Sequence, residues 1–246
     1  MKNIYIGDIH GLTVWGDIVN QHKDFDNIVF IGDYLDSFDV PGTTQLENLR
    51  NIIEFKKSNM GKVHLLIGNH DIHYWPGINS MTTSGFQPDM KTIFTETFLQ
   101  NKDLFKMCVL IGKNLCTHAG VSKDFLNHEE YYRYEDYTLD EFINATFKYT
   151  PKRFLFDAIF DRKTKLHNEN GNDIEQSPVW IRPESLQKSN FGTDLKKNYI
   201  QIVGHTQQNQ IDIKGKSTGG KYYYIDTLPS GQYLIEENDE FKIGRL

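Results

Sequence analysis

Short apolar runs recur along the chain, and several stop abruptly at a glycine followed by a polar residue. Asn3 to Ile6 stops at Gly7-Asp8, Asn27 to Ile31 at Gly32-Asp33, and Lys62 to Ile67 at Gly68-Asn69-His70. Asn114 to Cys116 leads into Thr117-His118, and Asn198 to Val203 stops at Gly204-His205. Runs this short, rich in Ile and Val and closed by glycine, predict buried strands. Helical patterns lie between them. Thr44-Gln45-Leu46-Glu47 has the form of a capping box, and Leu46, Leu49, Ile52 and Ile53 follow at helical spacing. Strands alternating with helices predict an α/β layered fold, in which working residues gather beyond the carboxyl ends of the strands. Those ends carry the Asp, His and Asn side chains.

Two regions break the alternation, from about 73 to 105 and from about 122 to 177. They are longer, polar and aromatic, and are read as helical cap insertions over the mouth of the site within a single domain spanning 1–246. The run Tyr131-Tyr132-Arg133-Tyr134 fits helix packing in such a cap, and Lys56-Lys57 a solvated helix end. Past Gly204, Lys221 to Asp226 and Gln232 to Ile235 predict closing hairpins, with turns at Gly219-Gly220 and Ser230-Gly231.

At 246 residues the chain is long enough to bury a substantial core. Its net charge of −6 argues against strong nucleic-acid binding, which needs a basic face. A small phosphorylated partner remains compatible, since bound cations reverse the local field. Cys108 and Cys116, each in a strand-like run, are expected as reduced, buried thiols. The first residues reach charge too soon for a secretory signal, and no apolar run approaches the ~20 residues that cross a membrane. No membrane association and a cytoplasmic location are the expectation.

The candidate chemistry lies in five motifs: Gly7-Asp8-Ile9-His10-Gly11, Gly32-Asp33-Tyr34-Leu35-Asp36, Gly68-Asn69-His70-Asp71, Thr117-His118-Ala119-Gly120 and Gly204-His205-Thr206. Singly each is weak, because an Asp at such a place also caps helices and a lone His is often a packing residue. Together, each after a strand-like run, they supply the mixed carboxylate and imidazole set that Mn, Fe, Zn or Ni accept. Asp8 and His10, two apart on an extended segment, face the same way and can share one ion. The carboxylate of Asp33 can bridge two ions, and Asn69, His118 and His205 complete the second. Two ions about 3.5–4 Å apart clamp phosphoryl oxygens and provide a bridging hydroxide for in-line attack. His70 is the candidate proton donor to the leaving alkoxide, oriented by Asp36. His22, His64, His73, His128 and His167 fit no motif and are read as surface or packing residues.

Ordered in this way, the motifs resemble those of the calcineurin-like metallophosphoesterase superfamily, in particular its phosphoprotein-phosphatase branch. Gly11 after His10 and the His118-Ala119-Gly120 form of the histidine motif carry the likeness, which runs from residue 4 to about 236. The resemblance implies a two-sheet β-sandwich flanked by helices. It implies metal ligation by Asp8, His10, Asp33, Asn69, His118 and His205, and an acid dyad of His70 and Asp36. Two divalent ions, Mn first, are the implied cofactors.

The departures concern substrate binding. The branch usually follows its second motif with Arg-Gly, where this chain has Ser37-Phe38, and Asp71 stands where Glu is common. Arg182, in Val179-Trp180-Ile181-Arg182-Pro183, is the candidate replacement clamp beside Asn69, a planar fork suited to phosphate oxygens. A plain surface arginine is the alternative. The expected activity is hydrolysis of phosphate monoesters of the phosphoserine or phosphothreonine kind. The alternatives are hydrolysis of nucleotide anhydrides, of the diadenosine tetraphosphate or RNA-cap type, and a non-catalytic binding scaffold.

Overall fold

Residue alternation along the strands decides how the layers stack. In a computed structural model, which describes residues 1–78, 84–134, 136–156, 172–214 and 221–246, the expected runs form strands. These are β1 (Lys2–Ile6), β2 (Asn27–Phe30) and β3 (Val63–Leu66), with β4 (Phe105–Lys106) beside β3. Ile4, Ile6, Ile28, Phe30, Val63 and Leu65 face one side, into a core shared with the helices. Tyr5, Val29 and Leu66 face the other, against Cys116, Ile202 and Tyr223 of a second sheet. Each strand is therefore apolar on both faces, as expected for a sheet covered on both sides.

The first sheet has the order β11-β10-β1-β2-β3-β4, where β10 is Gln232–Glu237 and β11 is Glu240–Arg245. The second has the order β5-β6-β7-β9-β8, from β5 (Cys108–Ile111), β6 (Asn114–Thr117), β7 (Ile200–Val203), β8 (Asp212–Lys214) and β9 (Lys221–Tyr224). β1, β2 and β3 run parallel, and so do β6, β7 and β9. Both sheets therefore send the carboxyl ends of their central strands to an edge where loops can meet. Helices α1 (Trp15–Gln21) and α2 (Gly42–Ser58) contribute Ile18, Leu46, Leu49, Ile52 and Ile53 to the first core. On the far side of the second sheet, Val203, Tyr222 and Tyr224 pack with Leu186 of α6 (Pro183–Ser189). The architecture is thus two sheets flanked by helices, as the motif order implied.

Several local expectations need correction. α2 begins at Gly42, two residues before Thr44, and its N-cap is Pro41 with no side-chain cap bond. Among the described residues a capping box lies instead at Thr138 and Glu141, opening α5 (Leu139–Tyr149). Lys56 is not solvated: it is buried, with Nζ donating to the carbonyls of Met60 at 2.7 Å and Val63 at 2.6 Å. Ser230-Gly231 does not close a hairpin between β9 and β10, because those strands lie in different sheets. The terminal hairpin joins β10 to β11 and turns at Asn238-Asp239, whose φ angles of 53° and 67° suit a primed turn. Gly219-Gly220 and His167 lie outside the described residues.

The regions 73–105 and 122–177 carry α3 (Lys91–Asn101), α4 (Lys123–His128) and α5 where they are described. Tyr131 and Tyr134 pack on Phe142 of α5, whereas Tyr132 is exposed. Both cysteines are free and buried. Among the described residues no helix is long and apolar enough to cross a membrane.

His64, in β3, faces Asn27 at 3.2 Å, and burial together with Lys56 and Lys106 pushes it down to about 4. The unfolded chain takes up a proton near the ordinary value of 6.5 and the folded chain does not. Stability is therefore unaffected by this group above about 6.5, falls between there and about 4, and is level below. Thermal melts across that window should show the decline, and His64→Gln should flatten it. An unchanged slope in the variant contradicts this assignment.

Candidate active site

The site is assembled from the loops that follow β1, β2, β3, β6 and β7. These loops are laced together by their backbones. Ile9 N and His10 N donate to the carbonyl of Asp33, and Gly11 N to that of Tyr34. The Asp71 carboxylate, fully buried, accepts from the backbone N–H groups of Asp33, Tyr34 and Gly68 at 2.8–2.9 Å. Asp71 thus pins the end of β2 to the end of β3. His70 N donates in turn to Asp33 Oδ1 at 2.9 Å.

Two glycines make room for the carboxylates. A Cβ on Gly68 would collide with Asp33 Oδ1, and one on Gly204 with Asp8 Oδ1. At Gly68 and Gly204 the Gly-polar signature is therefore a packing requirement of the acid across the cleft, whereas at Gly7 and Gly32 a Cβ would strike the backbone of Ile225 and Gly68. The backbone is strained at the same place: His10, Asp33, Asp36 and His205 have φ between 40° and 66°. Such conformations in non-glycine residues cost of order 1–3 kcal/mol each, and the surrounding hydrogen bonds hold them. His10 is consequently not on an extended segment, as the sequence suggested.

Asp33 Oδ2 lies 3.3 Å from His118 Nε2 and 3.7 Å from His10 Nε2. Asn69 Oδ1 lies 2.8 Å from both His118 Nε2 and His205 Nδ1. Asp8 accepts from His205 N at 3.0 Å. Ligand atoms of Asp8, Asp33 and His118 lie within 4.8 Å of one another, as do those of His10, Asp33 and His70. Asp33 belongs to both groups. The partition differs from the expected pairing of Asp8 with His10: Asp8 keeps company with His118, and His10 with His70.

Each of three rings turns its outer nitrogen to a carbonyl. His10 Nδ1 meets Leu35 O at 2.7 Å, His118 Nδ1 meets Ile31 O at 3.0 Å, and His205 Nε2 meets Trp180 O at 3.1 Å. A carbonyl can only accept, so those nitrogens carry protons, and the inner nitrogens are turned toward the carboxylates and Asn69, where the neutral ring presents a lone pair. This is the outer support that metal-binding histidines require. Burial, with the charges of His118 and Arg182, pushes His205 well below its ordinary value. Its inner nitrogen therefore faces the amide oxygen of Asn69 as one acceptor against another. A cation between such acceptors is what this donor set fits, and its N and O atoms suit borderline divalent ions.

The carboxylates and imidazoles of the cluster also compensate one another's charge. Burial raises Asp8, the neighbouring Asp226 adding to it. Burial also opposes the charge on Asp33, but His118, His70 and His10 overcome it and hold that carboxyl below its usual range. Burial disfavours the imidazolium at His118 and His70, yet the adjacent carboxylates push both up to about 9. His70 Nδ1 lies 3.1 Å from Asp36 Oδ2, and the Tyr74 hydroxyl donates to the other Asp36 oxygen.

A cavity of about 370 Å³ opens over this cluster, lined among others by Asp8, His10, Asp33, Asn69, His70 and His205. Arg182 also lines it, with Nη1 3.3 Å from Thr206 Oγ1 and 3.5 Å from the His205 carbonyl. Arg182 makes no ion pair among the described residues. Ser84, Gln207 and Asp226 complete part of the wall and carried no motif, and Trp180 joins them from the stretch that holds Arg182. His73, read as a packing residue, is buried 6.2 Å from the Trp180 ring. Tyr74 could have been suspected only from its closeness to the third motif.

The profile of the calcineurin-like phosphoesterases matches residues 1–209, and the chain belongs to that family. It is accordingly a metal-dependent phosphoesterase, a hydrolase acting on phosphorylated substrates. Among solved structures it is similar to a cold-active protein-tyrosine phosphatase of a psychrophilic Shewanella species, at 18% identity and a TM-score of 0.64. That match covers 99% of this chain and 77% of the other. A protein serine/threonine phosphatase from Saccharomyces cerevisiae matches at 16% identity and a TM-score of 0.54, covering 99% and 79%. A metallophosphoesterase from Sphaerobacter thermophilus matches at 14% and 0.50, covering 100% and 88%. At these identities the likeness is one of fold.

Asp71→Ala should leave three buried N–H groups without an acceptor, at about 1–3 kcal/mol each. Urea unfolding of the variant should show a loss of about 3 kcal/mol or more. A loss below about 1 kcal/mol would show that these loops do not depend on Asp71.

Proposed function

We propose that the chain is a dinuclear phosphomonoesterase of the serine/threonine phosphoprotein phosphatase kind. The observation that carries this reading is the convergence of the inner nitrogens of His10, His118 and His205, the Asn69 oxygen and the shared Asp33 carboxylate on one cluster. Asp8, His10, Asp33, Asn69, His118 and His205 are the proposed ligands of two divalent ions, Mn first, with Asp33 common to both. When bound, the ions supply positive charge for the phosphoryl oxygens and an activated water near neutral pH.

The remaining steps belong to side chains. Arg182 and Asn69 hold the phosphate, the arginine filling the role left open by Ser37 and Phe38. Its guanidinium, on the cavity wall with no ion pair among the described residues, supports this. His70 carries the proton for the leaving alkoxide. Its Nδ1–H is held by Asp36, which leaves Nε2 to face substrate, and its raised value keeps it protonated at neutral pH. Tyr74 and Asp36 orient that ring.

On the same reading the chain is one domain, 1–246, with cap insertions at about 73–105 and 122–177, in which α3, α4 and α5 lie. Two free buried thiols favour the reducing cytoplasm as its location.

Metal-stripped protein should hydrolyse p-nitrophenyl phosphate and a phosphoserine peptide only after Mn is added. His70→Asn should lower kcat on the peptide about 10²–10⁴-fold while metal content stays unchanged. Arg182→Ala should chiefly raise KM. Turnover of a dinucleoside polyphosphate with none of the phosphopeptide would replace the monoesterase reading with a nucleotide anhydride hydrolase.

A further inference from the structure

β6, β7 and β9 run parallel in the second sheet, and the first two deliver His118 and His205 to the site. The third delivers Asp226. Val203 is in register with Tyr224, and Ile225 N continues the ladder to the Val203 carbonyl at 2.7 Å. Counting two residues past each register partner brings His205 level with Asp226. The loop after β1 comes close to the same residue: a Cβ on Gly7 would strike the Ile225 carbonyl and stand 3.2 Å from Asp226 Cα. Asp226 therefore sits beside the Gly7-Asp8 turn, on the cavity wall.

The Asp226 side chain is only 6% exposed, yet no hydrogen bond or ion pair reaches its carboxylate among the described residues. Its neighbours make this costly, since Asp8 and Asp33 are buried carboxylates in the same cavity. A buried carboxylate without a donor, beside two others, is costly in its charged form, and a cation among them relieves that cost. The two tight groups of ligand atoms do not include Asp226, which lines the cavity beside Asp8 and Asp33.

We propose that Asp226 is a further carboxylate of the metal centre, outside the group of Asp8, Asp33 and His118 and raising the affinity of that group for a divalent cation. The inference rests on the two-ion reading of the site. Asp226 is a positioning residue for the ion, and its position beyond β9 completes the set of parallel strand ends that face the cavity. No glycine precedes it, which is why the Gly-polar pattern passes over it.

The test is calorimetric titration of the metal-stripped full chain with MnCl2, comparing wild type, Asp226→Asn and Asp226→Glu. Melting temperatures would be recorded without divalent ions. Asp226→Asn should bind Mn about tenfold to a hundredfold more weakly at one site. Its metal-free melting temperature should equal or exceed that of wild type, because a repelling charge has gone. Asp226→Glu should bind as wild type within about threefold, so that charge rather than shape is what the titration reports. Equal Mn affinity in wild type and Asp226→Asn would overturn the proposal, as would equal weakening by Asn and Glu. Wild-type protein that takes up no Mn would instead overturn the metal reading beneath it.

Discussion

The Asp33 carboxylate is held on three sides before any ligand enters. His70 N donates to one oxygen, Gly68 leaves the space that this oxygen occupies, and the other oxygen lies between His118 and His10. Its backbone is secured as firmly, because Asp71 accepts from Asp33 N while the Asp33 carbonyl accepts from Ile9 N and His10 N. Loops after β1, β2 and β3 are thereby tied through one residue. Both groups of candidate ligands contain it, so displacement of Asp33 would disturb both at once.

This arrangement has a thermodynamic consequence. Four site residues with positive φ, buried carboxylates of like charge and facing acceptors all oppose folding. They are sustained by the two-sided apolar packing of β1, β2 and β3 and by Asp71. Stability is spent at the strand ends and recovered in the sheets, which is where enzymes commonly place strain.

Much of this was legible in the sequence, because strand ends and chemistry coincide. Apolar runs closed by Gly-Asp, Gly-Asn-His and Gly-His report two facts together: a buried strand has ended, and a neighbouring backbone or carboxylate needs the space a Cβ would fill. What remained hidden depends on tertiary pairing. Asp226 follows a strand without a glycine, and its importance comes from the parallel registration of β9 with β7. Asp71 reads as a conservative change in the third motif, although it fastens two strand ends. Lys56 looked solvated because a helix end usually is, but two carbonyls beyond α2 receive its ammonium. The grouping of Asp8 with His118 followed from backbone angles that no periodicity announces.

The most direct test of the shared role of Asp33 is anomalous diffraction at the Mn absorption edge from crystals grown with MnCl2. The account predicts two peaks, one on each side of the Asp33 carboxylate, each adjoined by other residues of the proposed ligand set. A single peak, or peaks remote from Asp33, would contradict it.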